Sequence, residues 1–352
     1  MGILKRQLGF GALFLAAVGC VPTFDDNLPL VQKPIVLSVQ SEPAEAAPNT
    51  QVQLTALVAT PDVDGAAPAV AWGLCIARKP LTELGPVNPI CIQPPGAAKG
   101  SILPLGSGAT VTATLPADAC RLFGPSLPEA MNGEPPGRPV DPDPTGGFYQ
   151  PIGVTLDETG VTSLGAVRIF CPPSGLDQEL GVAFNTNYRN NQNPTLDSIA
   201  VVSESGKLEP IPAEPDTLRV SRAQTLQFRT TWAACPTTPK CGDGICGALE
   251  DRNSCADDCT VPKGCTGAEP YTYFNPDSRL LESRHETIRV SWFATGGRFE
   301  NAVTGRDEDE FSLNTTDNTW SAPDVVGKVR AWLVVRDARG GQSFRSFLLD
   351  VR

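Results

Sequence analysis

The chain has 352 residues, 34 prolines, 33 glycines and a formal charge of −11. An acidic chain with no basic block is a poor nucleic-acid ligand, so nucleic acid is excluded as a partner. Anionic headgroups would repel it, so membrane contact must come from an anchor and not from a surface patch. The length allows two domains with substantial cores, and the proline and glycine content with few helical patterns predicts an all-β protein with long loops.

At the front, Lys5 and Arg6 precede an uncharged run from Leu8 to Val18, which is too short to span a bilayer as a helix. The run ends in Ala17-Val18-Gly19-Cys20. This resembles the lipobox of bacterial lipoproteins, with Ala17 where that family usually carries Leu. The resemblance implies a signal peptide at 1–19, cleavage before Cys20, and lipid on the sulfur and new amino group of Cys20. Several acyl chains anchor stably, since each buried CH2 contributes about 0.8 kcal/mol. Val21, where the family's inner-membrane signal would have Asp, points to the outer membrane. Cleavage removes Lys5 and Arg6 and no acids, taking the charge from −11 to −13. Residues 20–33 then read as a tether.

Period-two alternation marks the strands that follow. Ile35, Leu37 and Val39 share one face, and Val52, Leu54, Ala56 and Val58 another. Val70, Trp72, Leu74 and Ile76 alternate, as do Val111, Ala113 and Leu115. Further strands are expected at 151–156, 163–170 and 180–186. The Pro-rich segment 125–147 cannot pair in a sheet, because proline lacks the backbone donor. Asn191-Gln192-Asn193-Pro194 marks a boundary, giving domains at 34–193 and 194–352.

In the second domain Ile199 and Val201 lie on one face, Leu226, Phe228, Thr230 and Trp232 alternate, and so do Ile288, Val290, Trp292 and Ala294. Val329, Ala331, Leu333 and Val335 lead through a turn at 337–341 into Phe347, Leu349 and Val351, a terminal hairpin. Val70-Ala71-Trp72 and Val290-Ser291-Trp292 suggest a divergent repeat. A Trp midway along a third strand resembles the core of Ig-like sandwiches, and the closing WLVVRDARGGQS is similar to the last hairpin of PKD-type modules. The fold expected is two Ig-like antiparallel β-sandwiches, the second carrying a disulfide-rich insert.

Setting Cys20 aside leaves ten cysteines, enough for five disulfides in an oxidising compartment. Cys75 is expected to bridge Cys91, which leaves Cys120 and Cys171 as a pair. Six lie in the insert 235–265: Cys235, Cys241, Cys246, Cys255, Cys259 and Cys265. Its C-G-D-G-x-C and C-A-D-D-C segments resemble a small cysteine-rich motif of secreted and surface bacterial proteins. Ile245, Leu249 and Val261 are its only sizeable aliphatics, so disulfides must substitute for a core. Six cysteines allow 15 pairings; Cys235 and Cys265 bracket the insert and are expected to close its neck. Asp243, Glu250, Asp257 and Asp258 offer hard oxygens suited to Ca2+, against the simpler reading of solvated acids on a disulfide knot. Four thiolates could hold Zn2+ instead, but an oxidising compartment favours disulfides.

Signals of catalysis are sparse. His285 is the single histidine, read as an exposed strand-edge residue, and no nucleophile elbow, phosphate loop or dinucleotide loop occurs. Acids in 306–310 read as a solvated loop. The expectation is a non-catalytic binding or structural protein contacting an envelope protein or a glycan. An accessory scaffold of an envelope secretion or assembly complex is the alternative, and a carbohydrate-active enzyme the third. No cofactor beyond Ca2+ is indicated. Tyr271, Tyr273 and Phe274 form the one aromatic cluster able to make a sugar platform, against the plainer reading of strand core.

Overall fold

The computed structural model describes residues 29–80, 83–126, 142–238, 240–247 and 250–352. The expected signal segment 1–19, Cys20, the start of the expected tether and residues 127–141 of the Pro-rich loop lie outside the described residues.

The fold is all-β, built as two sandwiches. In the first, Ile35–Glu42, Gln51–Ala59 and Thr110–Thr114 form a three-stranded antiparallel sheet. It faces a five-stranded sheet ordered Glu45–Ala46, Thr162–Ile169, Phe148–Leu156, Val70–Cys75, Ile102–Ser107. Alternation does what the sequence predicts: Val52, Leu54 and Ala56 point inward while Gln51 and Gln53 face water. Trp72 is fully buried in the core with Val39, Leu54, Ile152, Val154 and Val167, and its indole N–H donates to Gly108 O at 2.7 Å.

The second sandwich packs the sheet Leu208–Pro210, Leu196–Val202, Thr225–Trp232, Thr315–Ser321, Arg298–Phe299 on another. That other sheet runs Thr217–Val220, Gln342–Val351, Gly327–Arg336, Ile288–Ala294, Val303–Arg306. Phe228 sits at the core centre among Trp292, Trp320, Phe299 and Phe347. The five-stranded sheet of the first sandwich and the Trp292 sheet of the second share one plan. Each begins with a short edge strand paired in parallel, continues with the two strands of a hairpin, and places its Val-x-Trp strand fourth. The repeat suggested by two tryptophans is therefore present in the topology.

The sandwiches meet along an apolar seam. Leu37 and Ala59 of the first pack with Trp332 and Val334 of the second, closed by Val31. Strand Gly327–Arg336 is thus buried on both faces, which is why Ala331 to Val335 reads as a continuous apolar run. Strand Ile35–Glu42 serves two cores: Leu37 faces the seam and Val39 the first sandwich. A register shift between Val36 and Ser38 accompanies the switch and leaves Ile35 exposed, so Ile35, Leu37 and Val39 do not share one core face. The tether also ends earlier than expected. Val31 N donates to Ala294 O at 2.8 Å and Ala294 N to Pro29 O at 2.9 Å, fixing 29–31 at the seam.

One strand expectation is overturned. Residues 180–186 were expected to be extended, but Gln178–Asn187 is an α-helix. Leu180, Val182 and Phe184 mimic alternation, yet Val182 points to solvent. The spacing that operates is four: Leu180, Phe184 and Tyr188 line one face. Asp177 caps the start, its carboxylate accepting from Leu180 N at 2.9 Å.

Candidate functional site

The insert is held by covalent and polar cross-links rather than by a core. Cys235 pairs with Cys265 at the neck, Cys241 with Cys255, and Cys246 with Cys259. Elsewhere Cys75 pairs with Cys91 and Cys120 with Cys171. Five disulfides fit an oxidising, extracytoplasmic environment. No helix among the described residues is long and apolar enough to cross a membrane.

The C-G-D-G motif has a specific geometry. Gly242 and Gly244 both adopt positive φ, +89° and +84°, which turns their amides toward one point. Asp258 occupies it, accepting from Gly242 N at 2.6 Å and Gly244 N at 2.9 Å. Glu250 accepts from Gly247 N at 2.9 Å, and Asp243 from Ile245 N at 2.9 Å. Asp257 is exposed on a one-turn helix. The acids considered for Ca2+ thus serve the insert's own backbone, with Asp257 apart. The one close grouping of metal-type donors among the described residues is Asp258 with Cys241 and Cys255, whose sulfurs are joined to each other.

Behind the insert lies a buried ionic junction that the sequence did not suggest. Helix Gln178–Asn187 delivers Tyr188 and Arg189 to it. Tyr188 Oη donates to the fully buried Glu45, and Glu45 Oε2 also accepts from Arg168 Nε at 3.3 Å and Asn191 N at 3.0 Å. Arg168 reaches Thr145 and Tyr149 as well, and the backbone must approach closely there: a Cβ on Gly147 would lie 2.0 Å from the guanidinium.

Arg189 spends its five donor hydrogens on carbonyls. It donates to Cys246 O at 2.7 Å, Gly247 O at 3.1 Å and Glu250 O at 2.6 Å in the insert, and to Thr186 O and Tyr188 O. Arg339, from the turn of the terminal hairpin, is 1% exposed and donates to both Glu269 and Glu286, and to Arg189 O at 2.9 Å. Its guanidinium carbon lies 4.9 Å from the ring centre of Tyr271.

Charge and burial shift the groups here. Burial and the neighbouring Glu286 push Asp337 up to about 7, although Arg339, Gly341 N and Asn191 oppose the rise. Burial also raises Glu269, with Glu286, Asp337 and Glu45 adding to it against Arg339. For Asp143 burial acts upward, but the Arg168 charge and bonds from Thr145, Tyr149 and Gly147 win and lower it. Burial first, then Glu286, pushes the Tyr271 hydroxyl up to about 12.

A cleft of about 460 Å³ opens over this junction, between the insert and the hairpin Pro270–Asn275/Leu280–His285. The Cys235–Cys265 disulfide, Ile245 and Glu250 form one side, and Tyr271, Leu281 and Ser283 the other. Arg189 and Glu269 line it from the junction. The expected aromatic row is not formed. Tyr271 is buried beside this cleft, whereas Tyr273 and Phe274 line a second cavity of about 260 Å³ with Phe148, Phe184 and Arg168. Tyr273 also carries the Arg284 guanidinium on its ring, 4.1 Å from the centroid.

His285 ends the hairpin and is half-buried, not exposed, because its ring stacks on Phe311 with centroids 3.8 Å apart. That burial lowers its pKa, with Glu308 opposing. In 306–310 Arg306 pairs with Glu310 at 3.0 Å.

No family model and no curated protein matches the chain. Among solved structures, the fibronectin(III)-like modules of Clostridium thermocellum CbhA align at 9% identity over 91% of this chain and 94% of theirs, with a TM-score of 0.21. The Yersinia pseudotuberculosis adhesin InvE aligns at 9% identity over 89% of this chain and 58% of its own, with a TM-score of 0.21. A nucleoside hydrolase-related protein of Saccharophagus degradans aligns at 12% identity over 46% of this chain and 26% of its own, with a TM-score of 0.20. Scores this low carry no argument about what the cleft binds.

Proposed function

We propose that the protein is a lipid-anchored, extracytoplasmic binding protein of the outer membrane. It does no chemistry of its own and receives a segment of another envelope protein in the cleft between insert and hairpin. The observation that carries this reading is the cleft's construction. A disulfide-bonded insert, pinned by three of the five donors of Arg189, forms one wall of a concave surface on the two-sandwich scaffold. Its walls mix peptide-like polar groups with aliphatic patches. A glycan would need an exposed aromatic face, and Tyr271 is only 6% exposed. A protein segment is therefore the better fit.

Two experiments test the reading. Metabolic labelling with a clickable fatty acid should mark the native chain and not Cys20→Ala; equal labelling of both defeats the anchor. A photo-crosslinking residue placed at Thr238 or Ser283, both exposed at the cleft, should join a discrete envelope protein in intact cells. Crosslinking at the same yield from Glu209, which does not line the cleft, or at none of the three, defeats the binding assignment.

A further inference from the structure

The junction unites three parts of the molecule through one short linker. Asn191 N reaches Glu45 in the first sandwich, and Asn191 Nδ2 reaches Asp337 in the second at 3.3 Å. Asn190 N donates to Pro262 O and Gly264 N to Asn190 O, which ties the same linker to the insert. Asn193 completes the stitching: its Nδ2 donates to Ser41 O at 2.8 Å and its Oδ1 accepts from Gln342 N at 2.9 Å.

The charges gathered there do not balance. Glu45, Asp143, Glu269, Glu286 and Asp337 bring carboxyls, against the guanidinium groups of Arg168, Arg189 and Arg339. Glu250 and Asp251 face Arg189 from the insert side and add no cation. Tyr149, Tyr188 and Tyr271 hold their protons and remain neutral. Arg189 gives its hydrogens to carbonyls, so Arg339 is the one guanidinium that donates to Glu269 and Glu286, and Ala338 N adds a bond to Glu286 Oε2 at 2.9 Å.

Within this cluster Glu269 Oε2 is buried without a donor, as is Asn191 Oδ1. Glu269 Oε2 lies so close over Gly264 that a Cβ there would be 1.3 Å away, so no side chain at 264 could supply one. Asp337 turns inward: its Oδ1 accepts from Gly341 N at 2.7 Å, Arg339 N at 2.9 Å and Asn191 Nδ2. An excess carboxylate with an unsolvated oxygen is costly, and binding a proton is the cheapest relief.

We infer that the junction is a proton-locked clamp: a proton held on Glu269 or Asp337 keeps the two sandwiches and the insert docked, and its release loosens them. Burial raises both Glu269 and Asp337 above their unfolded values, Asp337 to about 7. The junction's contribution is therefore complete below about pH 4, where the unfolded carboxyls are protonated too, and it declines as pH rises through about 7. The inference is independent of what the cleft binds, although Arg189, Glu269 and Tyr271 belong to both.

The test is amide hydrogen exchange of the whole chain at pH 6.0 and pH 8.5, corrected for intrinsic exchange chemistry. Protection at Asn190, Asn191 and Gly341 should fall at least tenfold between the two, while the Val154 core amide keeps its protection. Asp337→Asn, which keeps the accepting oxygen but cannot ionise, should flatten the pH dependence. Wild-type protection that does not change with pH overturns the clamp. So does a folded Asp337→Asn chain with undiminished pH dependence. Should that variant not fold, Glu269→Gln applies the same criterion.

Discussion

Arg339 is the cation on which the buried glutamates of the junction depend. Its guanidinium holds Glu269 and Glu286, all three side chains being at most 2% exposed, and it packs on Tyr271. Arg339→Ala leaves two buried carboxylates without their cation. Breaking a buried pair by removing one partner costs about 3–5 kcal/mol, and a desolvated cation–π contact adds up to about 2 kcal/mol. Against a domain stability of about 5–15 kcal/mol, that is a large fraction. Urea unfolding under non-reducing conditions at pH 8, read by tryptophan fluorescence, measures it. Four of the five tryptophans, Trp232, Trp292, Trp320 and Trp332, lie in the second sandwich, so the signal reports the part that loses the contact. The loss should shrink toward pH 5, because the stranded carboxyls can take up protons. Arg289→Ala, which removes an exposed pair with Asp307, is the control and should cost about 0–1 kcal/mol. A loss under about 1 kcal/mol for Arg339→Ala at pH 8 would refute the view that these carboxyls depend on Arg339.

Three further outcomes follow from the geometry. As the single histidine, His285 gives one resolved NMR titration, expected below 6.5 because burial against Phe311 disfavours the charged ring. Its folded pKa lies below its unfolded value, so its contribution to stability is present above 6.5 and is lost as pH falls through the folded value; Phe311→Ala should move the titration back up. Replacing Cys246 and Cys259 together with alanine should cost about 2–4 kcal/mol within the insert, seen as rapid proteolysis between 240 and 263, while the Trp292 core keeps its near-UV circular dichroism. Asp177→Ala should cost about 1 kcal/mol by removing the cap of helix Gln178–Asn187; an unchanged urea midpoint would mean that this helix is held by Phe184 and Tyr188 alone.

Much of the architecture was legible because its cause is local. Alternation at Val52-Leu54-Ala56 and Ile288-Val290-Trp292 follows from a strand having one wet face and one dry face, and it survives in a single sequence. The helix at 178–187 was misread because three apolar residues two apart satisfied the strand pattern, while the informative signs were the Asp177 cap and the four-residue spacing to Tyr188. Trp332 and Val334 were passed over because their partners lie in the other sandwich. The seam's polar edge joins Ser38 to Gln342, 304 residues apart.

Disulfide content and the all-β class were therefore written in the sequence by itself, through cysteine number and the two-residue period. The junction was decided only by tertiary structure. Glu45, Arg168, Arg189, Glu269, Glu286, Asp337 and Arg339 are unremarkable charged residues in the chain, each with an ordinary place on a strand, linker or turn. Their meaning comes from being desolvated together, and desolvation is a property of the packed neighbours and not of any one segment.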